Sequence, residues 1–342
     1  MKIAPNFRFI ILAENHTKRL PRRSILHKAI EILRFRSYSE IPFLLWQLSK
    51  RIPITIIHAH NYRPTFFAQV ANKVLHKPLF MEMHSIYDTS RLKNAIGSWL
   101  LRRSDLIIVP SESAKGYLTS HGVQEKKVHV IYNGIDLERF RNSQSSSALL
   151  DKYEEMAAFI SKFRLRVGYI GSFHIWQGVH EFLDIAYNVS QTRNDVGFLM
   201  IGDGPEFPQI SARIKESPLL SNVYIHPAIP REDVLLFYKL IHILLVPRPS
   251  TLATETALPL KAVEALASGN LVVGTEVGGL RELQGMVSSG VLLFKNKSEI
   301  SAFLQNLSGL PNMPKYQGGK ALDMFSAHRQ AGILLDLYDR YG

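Results

Sequence analysis

The stretch Val246–Leu283, VPRPSTLATETALPLKAVEALASGNLVVGTEVGGLREL, contains the unit around which the rest of the chain is organised. An apolar run ends at Pro247 and predicts a strand, and Ser/Thr-rich loop residues lead from it to Pro259. Pro259 has the fixed backbone angle that suits the first residue of a helix. The sequence therefore predicts, in order, a helix over residues 259–268 ended by Gly269, a strand over 271–275 and a further helix from about residue 280.

Lys261 lies in the first turn of the first of these helices, where the exposed N–H groups carry partial positive charge and disfavour a cation. A bound anion would remove this conflict, because helix N-termini bind phosphate. Arg248, at the end of the preceding strand, could add a forked charge, and Glu264, on the same helix face, could accept hydrogen bonds from sugar or ribose hydroxyls. The alternative is an exposed Lys–Glu pair worth roughly a few tenths of a kcal/mol, and the residue types leave both open.

The composition limits the class of protein. A length of 342 residues favours two domains, and 46% hydrophobic with 20% charged residues is ordinary for a globular protein. The chain has no cysteine, which excludes disulfides and thiolate metal sites and fits a reducing compartment. No apolar run reaches the roughly 18 residues of a membrane span, and the N-terminus lacks a signal-peptide pattern. We therefore expect a soluble or peripheral protein.

The formal charge of +12 is unevenly distributed. Residues 1–51 contain eleven Lys and Arg residues against three Glu residues, so this segment alone accounts for eight of the twelve charges. Such a patch could meet anionic lipid headgroups, nucleic acid or a phosphorylated substrate. It could equally be only a solvated face.

Strand-like and helix-like stretches alternate along the chain, which indicates βαβ units and mainly parallel sheets. Continuous apolar runs predict strands at 106–109, 196–201 and 243–246, among others. The serine-rich stretch 141–147 interrupts this alternation and marks a domain boundary there or just after the helical stretch 149–162. The sequence thus predicts an α/β protein with two Rossmann-like doubly wound domains that face each other across a cleft. The predicted parts are an N-terminal domain over residues 1–145, a C-terminal domain over 146–320, and a last helix over 321–342 that crosses back to the N-terminal domain.

In doubly wound sheets, ligands bind beyond the carboxyl ends of the strands. Gly171, Gly202, Gly204 and Arg248 fall at predicted strand ends in the second half, and His84 falls at one in the first half. A cleft between the two domains is therefore the expected site. The glycines alone could also mark ordinary turns, and His84 could be a structural histidine at a strand end.

His58 and His60 alternate along one strand face and resemble a metal-ligand pair, but no third ligand of suitable spacing follows them. The sequence therefore predicts no metal site. The P-loop lysine motif, the dinucleotide motif G-x-G-x-x-G and the esterase motif G-x-S-x-G are absent from the sequence. Their absence argues against kinases, Rossmann dehydrogenases and esterases.

Several segments taken together resemble the retaining glycosyltransferases of family 4, which have the two-domain GT-B fold. The resemblance runs from about Ile54 to Leu283 and is carried by the stretch quoted above together with IIHAHN, PLFMEMHS, SDLIIVPSES, KVHVIYNGIDLERF, VGYIGSFHIWQGV and IGDGPE. The form PLK with VPR upstream is similar to the branch of the family that carries its diphosphate-binding charges on that arginine and lysine. The set is specific, although each segment alone is not.

The resemblance implies transfer of a sugar from a nucleotide-diphosphate sugar to an acceptor hydroxyl, with retention at the anomeric carbon and without a metal ion or other cofactor. Carried onto this chain, the catalytic residues would be His84, Arg248 and Lys261, with His84 approaching the transferred sugar and the acceptor. The donor-binding residues would be Gly171, Ser172, Gly202, Gly204, Arg248, Lys261 and Glu264. Fixed cations beside a departing diphosphate stabilise the transition state more than the ground state.

Three features depart from the family's pattern. Many members have an arginine and a lysine at the places of Ser172 and Gln177. The family's first glutamate falls at Thr256, next to Glu255, which leaves its contact with the donor sugar open. Members generally begin with a strand, a glycine-rich loop and a long helix that are missing here, so the N-terminal domain is expected to be truncated.

We expect a cytoplasmic protein, peripheral on the inner membrane face, that takes part in the synthesis of a polysaccharide, glycolipid or other glycoconjugate. Its expected partners are a nucleotide sugar donor, a glycan or lipid-linked acceptor and an anionic membrane surface, with no nucleic acid. One alternative is a catalytically inactive binding or scaffold subunit with the same fold. The other is a sugar-nucleotide epimerase, for which the sequence offers no convincing set of acid/base residues.

Overall fold

A computed structural model of the chain describes residues 9–14, 23–27, 30–86, 91–142, 151–307 and 320–342. Within these residues the strands form three sheets, of three, four and six strands. The two larger sheets are parallel and their strands are joined by helices, which confirms the α/β class with two Rossmann-like domains.

The first domain contains the two smaller sheets. In the three-stranded sheet, β3 lies between β1, to which it is parallel, and β2, to which it is antiparallel. The four-stranded sheet is parallel, has the order β4-β5-β6-β7, and has a helix in each connection. The elements are β1 Phe9–Glu14, β2 Arg23–His27, β3 Ile30–Phe35, α1 Ile41–Ser49, β4 Ile57–His60, α2 Tyr62–Leu75, β5 Leu79–Glu82, α3 Arg91–Arg103, β6 Leu106–Val109, α4 Glu112–Ser120 and β7 Val128–Val130.

The second domain contains the six-stranded parallel sheet, in the order β10-β9-β8-β11-β12-β13. The helix α5 Leu137–Asn142 leads towards it. Its elements are α6 Glu154–Ser161, β8 Leu165–Ile170, α7 Val179–Ser190, β9 Val196–Ile201, α8 Phe207–Glu216, β10 Val223–His226, α9 Val234–Leu240, β11 Ile243–Val246, α10 Leu252–Thr256, α11 Leu260–Ala267, β12 Leu271–Thr275, α12 Gly278–Met286, β13 Val291–Phe294 and α13 Lys297–Asn306. The strand order corresponds to 3-2-1-4-5-6, so the winding reverses between β8 and β11 and opens a crevice at their carboxyl ends.

Continuous apolar runs explain the parallel sheets. Every residue of β6, β9 and β11 is buried, because helices cover both faces of the sheet. Capping residues also explain where helices begin. Ser111 caps the start of α4, because its Oγ accepts a hydrogen bond from the backbone N–H of Ala114 at 2.9 Å. The local signals therefore position the strand ends on which the site is built.

The last helix, α14 Ala327–Tyr341, lies against the first domain. Leu337 is buried in one apolar cluster with Phe80, Leu106 and Ile108 of the four-stranded sheet, and the ring of Tyr338 stacks on that of Phe80 at 5.8 Å. The segment before this helix belongs to the other domain, since Phe325 is buried in the core of the second domain. The chain therefore returns from the second domain to the first at its C-terminal end.

Three elements differ from the sequence prediction. The residues of β2 and β3 were given no structure by the sequence patterns, and residues 252–256, expected as loop, form α10 because Thr251 and Thr254 cap one another's backbone N–H groups. Most of the predicted linker 141–147 lies outside the described residues, so the domain boundaries stay a prediction. In the part of the chain that the structure describes, no helix is both long and apolar enough to cross a bilayer.

Candidate active site

Three predicted site residues meet where the winding of the six-stranded sheet reverses. Gly171 directly follows β8, Arg248 lies two residues beyond β11, and Lys261 is the second residue of α11. A Cβ atom built on Gly171 would stand 2.9 Å from Nζ of Lys261, which shows how closely the β8 loop approaches this lysine. The structure therefore brings together the three parts that the sequence predicted as one site: the loop after β8, the arginine after β11 and the lysine in the first turn of α11.

Lys261 points inward. Its Nζ is buried over the face of Tyr169, 4.1 Å from the ring centroid, and has no hydrogen-bond partner among the described residues. A buried ammonium without an acceptor is costly unless an anion accompanies it. The face of an aromatic ring compensates only part of that cost.

Arg248 is 7% exposed, and its guanidinium is held by two hydrogen bonds. Its Nη2 donates to Oε1 of Gln177 at 3.0 Å, and its Nη1 donates to the backbone carbonyl of Ala257 at 3.4 Å. The buried Nε makes no hydrogen bond within the described part of the chain. Gln177, which in the sequence stands where many family members have a lysine, thus orients the guanidinium, and the Nε donor stays unused by any described residue.

The electrostatic setting of these two cations is unfavourable in the free protein. Burial lowers the pKa of Lys261 well below its ordinary value, the neighbouring Arg248 lowers it further, and Glu264 opposes the shift. Burial also lowers the pKa of Arg248, to about 10. Both shifts mean that each positive charge is poorly solvated, so a dianionic group placed between them would be bound strongly.

The glycines of the site allow its loops to approach one another. Gly171 has φ +140°, a backbone region that side chains avoid. A Cβ on Gly202 would stand 1.8 Å from the carbonyl oxygen of Gly171, and one on Gly204 would stand 2.6 Å from that of Phe173. Ser172 contributes its backbone carbonyl, which accepts from Oη of Tyr169 at 2.8 Å. The glycines at 202 and 204 therefore have a demonstrable packing role, beyond that of simple turns.

Glu264 does not pair with Lys261 on the helix surface. Its Oε2 accepts a hydrogen bond from Oη of the buried Tyr238 at 2.9 Å. Burial raises its pKa, although Tyr238, Arg231, Lys261 and Arg139 each act to lower it. The exposed Lys–Glu pair that the sequence left open is therefore not what the structure shows.

Thr256 and Glu255 have structural contacts. The hydroxyl of Thr256 donates to the backbone carbonyl of Leu252 at 2.7 Å. Oε2 of Glu255 accepts from the backbone N–H of Gly278 at 2.7 Å and from Arg281 at 2.8 Å, so it caps the start of α12. Neither side chain is oriented by a contact with the two buried cations.

His84 lies beyond β5 in the first domain, and its contacts among the described residues are within that domain. Its Nε2 is 3.0 Å from Nδ1 of His60, and its Nδ1 is 3.6 Å from Oε1 of Glu82. The side chain is 45% exposed, so it stays open to a ligand. The structure does not place His84 in contact with Arg248 or Lys261.

The histidine pair of β4 has a third neighbour that the sequence analysis missed. Glu82 of β5 is the register partner of His60, and its Oε2 lies 3.1 Å from Nε2 of His58 and 3.8 Å from Nδ1 of His60. Burial alone would raise the pKa of Glu82, but the imidazoles of the three neighbouring histidines hold it below its ordinary value. The sequence did contain a signal for this neighbour, because an acidic residue ends the strand that follows the histidine pair.

Family models match both domains. The model described as Glycosyltransferase Family 4 matches residues 5–139, and the model described as Glycosyl transferases group 1 matches residues 164–311. The second match contains all the residues of the cationic site, and the first contains the histidines and Glu82.

Two curated proteins illustrate the similarity. The 2-deoxystreptamine glucosyltransferase of Streptomyces kanamyceticus is 22% identical over 255 residues, which cover 73% of this chain and 64% of that protein. The GPI3 subunit of the phosphatidylinositol N-acetylglucosaminyltransferase of Saccharomyces cerevisiae (strain YJM789) is 25% identical over 301 residues, which cover 84% of this chain and 62% of that protein. The chain thus spans less than two thirds of the length of these relatives.

Among solved structures, Anabaena HepE in complex with UDP-glucose aligns with a TM-score of 0.73 at 17% identity, over 92% of this chain and 86% of that one. This likeness shows the fold, the two-domain GT-B arrangement predicted from the sequence. Since the two family models match the first and second domains in turn, the chain belongs to the glycosyltransferases that combine a family 4 N-terminal domain with a group 1 C-terminal domain.

Proposed function

We propose that the protein transfers a sugar from a nucleotide-diphosphate sugar to an acceptor hydroxyl, with retention at the anomeric carbon and without a metal ion at the diphosphate. The observation that carries this proposal is the pair of buried cations, Arg248 and Lys261, whose Nε and Nζ atoms have no acceptor among the described residues. They lie at the reversal of strand order, next to the start of α11, where phosphate groups are commonly bound.

The chemistry explains why fixed cations are suited to this reaction. The bond from the anomeric carbon to the diphosphate breaks, and its electron pair stays on the diphosphate. The acceptor oxygen bonds to the same face of that carbon, and its proton passes to the departing diphosphate oxygen. Negative charge therefore grows on the leaving group during the reaction. Arg248 and Lys261 meet this growing charge without having to reorganise, which stabilises the transition state.

The two departures from the family at Ser172 and Gln177 are compatible with this role. Gln177 fixes the guanidinium of Arg248 through its side-chain oxygen, so it positions one charge in place of adding another. Glu264, oriented by Tyr238, is the residue we assign to the ribose or sugar hydroxyls. We assign the phosphate side of the donor to the backbone of the two loops, at Gly171, Ser172, Gly202 and Gly204.

We assign the acceptor side of the reaction to His84, whose exposed imidazole lies at a strand end of the first domain. Replacing it by asparagine should lower turnover on the order of 10²-fold, because a positioned hydrogen-bonding group is lost. Binding of the free nucleoside diphosphate should stay unchanged, since that ligand meets only the second domain. Equal loss of nucleotide affinity would contradict this division of roles.

The first domain also presents a surface suited to an anionic membrane. On α1, Phe43 and Trp46 are 58% and 46% exposed, and on the adjoining α2 the apolar side chains at 66, 70 and 74 form one exposed stripe. Lys50 lies over the ring of Trp46 at 5.7 Å, so cations border the apolar groups. We propose peripheral attachment to the inner face of the cytoplasmic membrane, where a polysaccharide or lipid-linked acceptor would be presented. Sedimentation with anionic vesicles, and failure to sediment with neutral ones, is the expected result.

The decisive experiment begins with thermal unfolding in the presence of nucleoside diphosphates and nucleotide sugars. A bound donor should raise the melting temperature by mass action, and the same compounds should have no effect on Arg248→Ala and Lys261→Ala. Transfer is then measured with labelled donors on a panel of glycan and lipid acceptors, including 2-deoxystreptamine and phosphatidylinositol. Nuclear magnetic resonance of the product reports whether the anomeric configuration is retained.

Each alternative gives a different result in this experiment. Binding of nucleotide sugars without turnover over the whole acceptor panel would indicate a scaffold subunit. A changed sugar in the absence of any acceptor would indicate an epimerase. Full transfer activity in both cation variants would overturn the site assignment itself.

A further inference from the structure

Four side chains with metal-binding atoms converge at the carboxyl ends of β4 and β5. One ligand atom each from His58, His60 and Glu82 lie within 4.8 Å of one another. Nε2 of His84 is a further 3.0 Å from Nδ1 of His60. The cluster belongs to the first domain, whereas the two cations assigned to the donor diphosphate belong to the second.

Two of the three distances between these ligand atoms approach those around a four-coordinate ion. Nitrogen and oxygen ligands about 2.0 to 2.1 Å from zinc stand roughly 3.3 Å apart in a tetrahedron. Nε2 of His58 and Oε2 of Glu82 are 3.1 Å apart, and Oε2 of Glu82 and Nδ1 of His60 are 3.8 Å apart. His60 is 54% exposed and can rotate to close the remaining gap, whereas the other two are held by packing.

The imidazole of His58 is oriented as a metal ligand would be. Its buried Nε2 lies 3.1 Å from Oε2 of Glu82, so these two candidate ligand atoms already face one another. Its other ring nitrogen, Nδ1, lies 2.6 Å from Oη of Tyr338 on α14. Metal-bound imidazoles usually have their second nitrogen fixed in this way by an outer partner, which sets the tautomer and the ring orientation.

We propose that His58, His60 and Glu82 form a binding site for a transition metal ion of the zinc type, with His84 beside the fourth position. Imidazole nitrogens favour zinc and its neighbours over magnesium or calcium, which prefer oxygen ligands. The bound ion would join the ends of β4 and β5 and, through His58, the helix α14 that comes back from the second domain. It would also place its open position next to His84, on the side of the site assigned to the acceptor.

The test uses the full chain without a histidine tag, stripped with a chelator, and zinc sulfate as the probe. We expect one zinc per chain by elemental analysis after dialysis, and a rise in melting temperature with zinc that magnesium does not reproduce. His60→Gln and Glu82→Gln should each lower zinc affinity at least about tenfold, the loss caused by removal of even an outer partner.

The matched control is His180→Gln. His180 and Glu206 form a similar half-buried pair, with Nε2 and Oε2 2.7 Å apart, but they have no third ligand among the described residues. This variant should keep full zinc binding. Because His60 is largely exposed, His60→Gln should fold normally, which a melting curve without metal checks.

The outcomes separate this proposal from the proposed activity. Zinc binding that is lost in the two cluster variants supports the site whether or not the protein transfers sugar. Zinc retained by both variants, or lost equally in His180→Gln, would overturn it in favour of adventitious surface binding. Absence of zinc binding in the native chain would show that the cluster is a metal-free hydrogen-bonded network.

Discussion

The two domains end their parallel sheets in contrasting ways. In the second domain, the carboxyl ends carry two deeply buried cations, Arg248 and Lys261, held by glutamine, carbonyl and aromatic neighbours. In the first domain, the corresponding edge carries titratable groups, His60, His84 and Glu82, of which the two histidines are about half exposed. The cations of one edge are buried and held by neighbouring groups, whereas the histidines of the other edge are open to solvent.

This difference fits the two kinds of ligand that a transferase must hold. A diphosphate is the same in every nucleotide sugar, so rigid charges can be prepared for it in advance. An acceptor varies in shape, and exposed side chains that donate and accept hydrogen bonds can adapt to it. If the charges of the buried edge are arranged for a diphosphate in advance, changes to these charges and to the backbone around them should weaken nucleotide binding and catalysis.

Lys261→Met should separate a functional cation from a structural one. Loss of the charge should cost about 2 to 4 kcal/mol of transition-state stabilisation, or roughly 30-fold to 10³-fold in kcat/KM. The melting temperature of the free protein should rise, because a buried ammonium without an acceptor is replaced by an apolar side chain. Steady-state kinetics and thermal melts give the two values.

Lys297→Met is the control for this change. Lys297 is an exposed lysine of the same domain, paired with Asp184 at 2.6 Å, and its replacement should alter kcat/KM little. A lower melting temperature for Lys261→Met together with unchanged activity would show that the buried edge is only structural.

Gly171→Ala should lower both the stability of the protein and its affinity for nucleoside diphosphate, because it changes the backbone beside Lys261. The φ of +140° and the 2.9 Å approach to Lys261 mean that a side chain forces the loop or the lysine to shift, at about 1 to 3 kcal/mol of stability. Weaker binding of nucleoside diphosphate should accompany this loss. The measurements are chemical denaturation and calorimetric titration.

Gly285→Ala serves as the comparison, because it lies in α12 with open space around the added Cβ. Alanine there should be neutral or stabilising, by about 0.5 to 1 kcal/mol. Equal destabilisation by both substitutions would argue against a special conformation at Gly171.

Glu282→Gln should weaken a contact between the second domain and the start of α4 in the first domain. The carboxylate of Glu282 on α12 accepts from the backbone N–H groups of Glu112 and Ser113 at the start of α4, at 2.8 and 3.0 Å, and from Oη of Tyr132 at 2.8 Å. Loss of the charge at this helix start should cost about 1 to 2 kcal/mol. The effect is measured by denaturation, with the exposed Glu276→Gln as control; equal stability of the two variants would show that the contact contributes nothing.

The pH dependence of nucleotide binding gives the smallest effect. Because burial lowers the pKa of Lys261, the free protein loses this proton at a lower pH than an ordinary lysine does, and a bound diphosphate raises the pKa again. Binding should therefore take up a fraction of a proton, and affinity should fall as pH rises through the lowered pKa. The stability of the free protein should change in the opposite direction, rising over the same range, because the unfolded state binds the proton more tightly.

Calorimetry of nucleotide binding in two buffers of different ionisation enthalpy measures this proton at mildly alkaline pH. Proton uptake should be absent in Lys261→Met. If that variant still takes up the proton, another group carries the linkage.

Much of the framework was predictable from the sequence. The buried strands at 106–109, 196–201 and 243–246 were predicted with their observed bounds, since continuous apolar runs bounded by turn residues identify buried parallel strands. Two α/β domains with parallel sheets followed from the alternation of such strands with helices, although among the described strands the order reverses only in the six-stranded sheet. The placing of Arg248 and Lys261 beside one another followed from the same alternation.

Other parts could not be predicted because they depend on partners distant in sequence. The strands β2 and β3 have no strong alternation of their own and are defined by their pairing. Gln177 looked like the loss of a cation until the structure showed it holding Arg248 from 71 residues away. The contact of Glu82 with His58 and His60 could not be predicted because Glu82 stands on a different strand, whose pairing with β4 only the folded sheet defines.

The sequence by itself determined which chemical groups are present and at which strand ends they stand, because burial periodicity and turn residues act over a few neighbouring positions. Only the tertiary structure decided that Lys261 lies over Tyr169 with no acceptor in the described part of the chain, and that Glu82 faces His58 from the neighbouring strand. Those relations depend on sheet order and register, which are fixed when distant segments pack together to bury their apolar faces.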